Sequence, residues 1–108
     1  MAGARRPRNS GVLMSLHVIN KTDPALWHTC LGALSDGDAL LLIEDAVFAA
    51  LPGYSDVLKP LTSVQVLALS DDLALRGISA RITPSVRHAS WQDFVVLSLQ
   101  HDKVVSWH

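Results

Sequence analysis

A single cysteine, Cys30, stands in a chain of 108 residues, and one cysteine excludes an internal disulfide framework. No apolar run approaches the ~18 residues that a membrane-spanning helix needs. Arg5, Arg6 and Arg8 are not followed by the apolar stretch of ~7–15 residues that a secretory signal requires. Asn9-Ser10-Gly11-Val12-Leu13 stands there instead. These absences lead us to expect a soluble cytoplasmic protein. The glycine patterns of nucleotide binding are missing too. No G-x-G-x-x-G follows a strand. Gly32 and Gly37 have the spacing of a phosphate loop, but Asp38 and Ala39 occupy the places of its Lys and Ser/Thr. No G-x-S-x-G marks a hydrolase elbow. His17, His28, His88, His101 and His108 show no paired spacing for a metal. We therefore expect no cofactor and no metal, and read most of the histidines as surface or structural residues.

Charge is scarce and uneven. Charged residues make up 18% and apolar residues 49% of the chain, which suits one packed domain and speaks against global disorder. Residues 1–13 hold three arginines, no acid and little core-forming pattern; they are expected to be a disordered arm, or a start placed too far upstream of Met14. The rest holds six basic and ten acidic residues, a net charge of −4. A domain this acidic is a poor match for a nucleic-acid backbone.

The most informative stretch begins at Asp38. Ala39-Leu40-Leu41-Leu42-Ile43 is continuously apolar, as in a strand buried on both faces of a parallel sheet. Glu44 and Asp45 follow where the strand stops. In open α/β sheets function sits outside the carboxyl ends of the strands, so negative charge here argues against a phosphate ligand. Further strands are predicted at Leu16-His17-Val18-Ile19, at 63–69, weakly at 85–88, and at 104–107. Asp23-Pro24 is a helix start. The apolar stripe Leu26, Cys30 and Leu34, with Trp27 and Leu31 beside it, continues that helix toward a stop at Gly37. A short helix is predicted over 45–51, a turn over 55–58, and a short helix capped by Asp71 and Asp72. Ser90 and Asp93 resemble a capping box opening a helix to about Gln100. The alternation implies one α/β domain, residues 14–108, with a mostly parallel sheet of about five strands and right-handed crossovers.

Two chemistries are worth weighing. The pairs Glu44/Asp45 and Asp71/Asp72 have the ligand type for Mg²⁺, as in a receiver-like regulatory module. Such a module needs its acid pair after the first strand, where Asn20-Lys21 stand. Cys30 is the one candidate persulfide carrier. Its place on an apolar stripe, two turns from the helix start and with no Lys or Arg at i±3 or i±4, favours a structural role.

Several segments together resemble the TusB/DsrH family. They are Leu16-His17-Val18-Ile19-Asn20-Lys21, Asp36-Gly37-Asp38-Ala39-Leu40-Leu41-Leu42-Ile43-Glu44-Asp45-Ala46-Val47, Val66-Leu67-Ala68-Leu69-Ser70-Asp71-Asp72-Leu73-Ala74-Leu75-Arg76-Gly77, Asp93-Phe94-Val95 and the terminal Ser106-Trp107. The resemblance implies a compact three-layer α/β domain. It implies assembly with TusC/DsrF-like and TusD/DsrE-like subunits as a heterohexamer. It also implies a sulfur relay from a TusA-like donor to a TusE/DsrC-like acceptor, ending in 2-thiouridine at the tRNA wobble position. The related assembly in sulfur oxidation is the alternative. In this family the main relay cysteine belongs to the TusD/DsrE subunit, so the chain is expected to be a non-catalytic or auxiliary subunit. Cys30 lies near a cysteine of DsrH-type members.

Overall fold

The computed structural model describes residues 13–108. Residues 1–12, most of the expected arm, lie outside the described residues. Five strands, β1 (Ser15–Ile19), β2 (Ala39–Leu42), β3 (Gln65–Leu69), β4 (Arg87–Ala89) and β5 (Lys103–Trp107), form one sheet in the order β4-β3-β2-β1-β5. Every pairing is parallel. The α-helices are α1 (Pro24–Ala33), α2 (Ser70–Leu75) and α3 (Trp91–Gln100), with 3-10 helices at Glu44–Ala50 and Ser55–Leu58.

The strand order explains the layers. From β1 to β4 each connection steps one strand outward, and the last returns to the far side of β1. Right-handed crossovers then place α1, the 3-10 helices and α2 on one face and α3 on the other. The packing agrees. Leu40 and Leu42 join Trp27, Cys30, Val47 and Leu73 in the larger core. Leu41, one residue out of phase, packs with Leu16, Leu67 and Leu97 on the α3 side. This two-sided burial is why β2 shows no polar alternation.

Local chemistry sets the helix ends. The Asp23 carboxylate accepts the Ala25 N–H at 3.3 Å, and Pro24 opens α1. Ser90 and Asp93 form the expected capping box at 3.0 and 2.9 Å. Other expectations need correction. Helix α1 stops at Ala33 with Leu34 already extended. Gly37 serves a different purpose, the tight turn into β2. Its φ is +88°, and a Cβ there would collide with the Met14 methyl. The segments expected as a short helix and a turn are both 3-10 helices. Strand β3 begins at Gln65, two residues late, and β4 is shifted toward Ala89. Asp71 and Asp72 lie inside the first turn of α2 and do not cap it, a position the helix dipole favours. Among the described residues no helix is long and apolar enough to cross a membrane.

Candidate functional site

Three features bear on function: an acidic edge at the carboxyl ends of β2 and β3, a buried cysteine on α1, and a buried polar cluster at the amino ends of β1 and β2. The first is the acidic edge. The chain leaves β2 through Glu44, which adopts φ +50° although it is not glycine. Such left-handed backbone costs about 1–2 kcal/mol and must be held by its surroundings. Asp72 holds it, its carboxylate accepting the Glu44 N–H at 2.7 Å from the start of α2. Asn20, just beyond β1, donates to the Glu44 carboxylate at 3.4 Å. Asp45 pairs with Arg76 at 2.8 and 3.1 Å. Arg76 also reaches the Asp72 carbonyl and lies 5.9 Å over the Phe48 ring. The two acid pairs foreseen in the sequence therefore do come near each other. Three of these four carboxylates, however, are engaged: Asp72 by a backbone N–H, Glu44 by an amide and Asp45 by a guanidinium. Among the described residues no three His, Cys, Asp or Glu side chains gather as a metal site needs. The receiver-like reading loses its geometric basis.

The second feature is Cys30. It is 0% exposed, seated among the larger core. Burial disfavours the charged form and pushes its thiol up to about 11. The thiolate is the nucleophile in sulfur exchange, and burial of this kind works against it.

The third feature escaped the sequence reading. Asp38 precedes β2 and is 3% exposed, and His17 on β1 is 3% exposed. The Asp38 carboxylate accepts the Ser15 N–H at 2.9 Å, the Ser35 N–H at 3.0 Å and the His17 Nε2–H at 3.1 Å. The Trp107 indole donates to His17 Nδ1 at 3.0 Å, its ring stacked on the imidazole. Indole N–H can only donate. Nδ1 must therefore carry its lone pair, and the ring proton sits on Nε2 facing Asp38. One chain of hydrogen bonds thus ties β5 through β1 to the entry of β2. The available signals were a histidine inside an apolar strand and an acid directly before a buried one.

The fold defines a class, doubly wound parallel α/β domains whose carboxyl edge lacks a phosphate cradle, and the relatives narrow it. The family model described as DsrH-like protein matches residues 24–104. A TusB protein of Enterobacter sp. (strain 638) is 37% identical over 87 residues, covering 75% of this chain and 90% of the relative. TusB of Escherichia coli O81 (strain ED1a) is 35% identical over 98 residues, covering 85% and 99%. This chain belongs to the DsrH/TusB family. The crystal structure of the ychN protein from E. coli superposes with a TM-score of 0.70 at 22% identity, covering 89% of this chain and all of that one. At this identity the likeness speaks for the fold.

Proposed function

We propose that this chain is the TusB-type subunit of a cytoplasmic sulfur relay that delivers persulfide sulfur toward 2-thiouridine at the tRNA wobble position. The observation that carries the proposal is the 35–37% identity to TusB proteins over most of the chain. In this reading the chain assembles with TusC/DsrF-like and TusD/DsrE-like subunits as a heterohexamer. Sulfur enters from a TusA-like donor and leaves to a TusE/DsrC-like acceptor. The chain itself is a scaffold, with Cys30 a structural residue and the relay thiol on a companion subunit. Burial of Cys30 supports that division of labour.

The surface supports a subunit role as well. Helix α3 carries apolar residues well beyond its core-facing side, as a helix with a second neighbour does. Phe94 and Leu97 face the core, while Trp91 at 52%, Val95, Val96 and Leu99 at 72% remain exposed. Exposed apolar patches on small domains mark interaction surfaces. The test is co-expression with the two neighbouring homologous subunits and a persulfide donor, followed by intact mass spectrometry. A stable complex with a +32 Da adduct on a companion, and none on Cys30, is expected. An adduct on Cys30 overturns the scaffold role, and failure to assemble overturns the relay reading.

A further inference from the structure

An apolar cavity of about 620 Å³ opens at the carboxyl end of the sheet, apart from the acidic edge and the buried histidine. Its walls come from α1 (Trp27), the first 3-10 helix (Phe48) and the chain that follows it (Leu51, Tyr54 and Val57), with Arg81 at the rim. The Trp27 indole is fixed by donation to the Lys21 carbonyl at 2.6 Å. It therefore presents only its apolar ring surface to the cavity. The loop carrying Arg81 is pinned, since the Thr83 N–H donates to the Ala50 carbonyl at 2.7 Å and the Arg81 N–H to the Ile78 carbonyl at 2.9 Å.

The charges at the cavity are one-sided. No carboxylate lines it. Arg76, nearby, is already paired with Asp45. The Arg81 side chain has no carboxylate partner among the described residues. The cavity thus offers an aromatic and aliphatic hollow with one unmatched cation at its mouth. Tyr54 is 69% exposed at the same rim. Rim aromatics and arginine are the residue types that interfaces favour. Polar side chains at the walls are confined to Thr22, Tyr54 and Arg81, so an occupant is held by its apolar body and by a negative charge set on Arg81.

We propose that this cavity is a docking site for a partner polypeptide, which inserts an aromatic or branched apolar side chain and sets an adjacent carboxylate on Arg81. The inference is independent of the sulfur-relay reading. It would stand for any assembly in which the carboxyl end of the sheet meets another chain.

The test uses the full chain and two blocked tetrapeptides, one carrying phenylalanine followed by aspartate, the other phenylalanine followed by asparagine. Binding is followed by NMR at the Trp27 indole and the Ala49 amide. The aspartate peptide is expected to shift both signals and to bind roughly 3- to 5-fold tighter than its asparagine twin, the range of an exposed ion pair. Arg81→Gln is expected to erase that difference, and Tyr54→Ala to weaken both peptides. Both side chains are exposed, so both variants are expected to fold. Equal affinity of the two peptides, an Arg81→Gln variant that keeps the preference, or no shift at Trp27 would each overturn the proposal. Phenylpropionate binding as tightly as the peptide would do the same, by making the cavity a site for free carboxylates.

Discussion

Replacing Asp38 with asparagine removes one acceptor from a place where three donors converge. The carboxylate receives the Ser15 N–H on one oxygen, and the Ser35 N–H and His17 Nε2–H on the other. Asparagine has one oxygen and one NH₂ group. Its best orientation keeps the oxygen toward Ser35 and His17, and so turns the NH₂ toward the Ser15 N–H. That amide, on a residue 6% exposed, is then left facing a donor. An orphaned buried donor costs about 1–3 kcal/mol, and the bonds that remain lose their charge assistance. The expected total is about 2–4 kcal/mol. The flipped orientation, with the NH₂ toward His17 and Ser35, is closed as well, because the His17 tautomer that would accept from it places a proton on Nδ1 against the Trp107 indole N–H. Thermal unfolding followed by circular dichroism is expected to show a Tm lower by roughly 10–20 °C for a domain of this size. Asp36→Asn, the same chemistry on an exposed residue of the same turn, is the control. Trp107→Phe alone is expected to cost about 1–2 kcal/mol by orphaning Nδ1. It is also expected to combine non-additively with Asp38→Asn, since both act on one imidazole. An Asp38→Asn effect within about 0.5 kcal/mol of the control, below the penalty for an orphaned donor, would refute the reasoning.

Three further outcomes follow from named groups. Because burial raises the Cys30 thiol to about 11, the unfolded chain binds fewer protons than the folded one above pH ~9. Stability is therefore lost as pH rises from there toward 11, and urea titrations of wild type and Cys30→Ala at both ends of that window should differ in slope. Native Cys30 should also resist iodoacetamide until the chain is unfolded. At the start of α3, hydrogen bonds from Ser90 lower the Asp93 pKa, so its contribution is present above the unfolded carboxylate value of ~3.9 and lost as pH falls through the folded one. Ser90→Ala is expected to cost about 0.5–2 kcal/mol near neutral pH and to flatten that acid limb in denaturant melts. Glu44→Gly removes the left-handed strain at φ +50° and should leave stability equal or up to ~1 kcal/mol higher, whereas Glu44→Val should lower it by more than ~1 kcal/mol; calorimetry of the pair decides.

The order of elements was legible in the sequence because it is written in short-range signals. The unbroken apolar run at Ala39-Leu40-Leu41-Leu42-Ile43 marked the central strand, Asp23-Pro24 opened α1, and Ser90 with Asp93 opened α3, each through contacts within a few residues. The same locality explains the misplaced boundaries. Gly37 was read as a helix stop from its spacing, but its positive φ serves the turn into β2, where its N–H donates to the Ser63 carbonyl. Asp72 looked like a cap and serves instead the backbone of Glu44, 28 residues away. Composition and spacing could place Cys30 on an apolar stripe, yet its complete burial required the sheet beneath it. Pairings across 21 and 90 residues, His17 with Asp38 and Trp107 with His17, leave no local periodicity at all. They exist because parallel pairing of β1 with β2 and β5 brings distant positions into register, and only the tertiary structure sets that register.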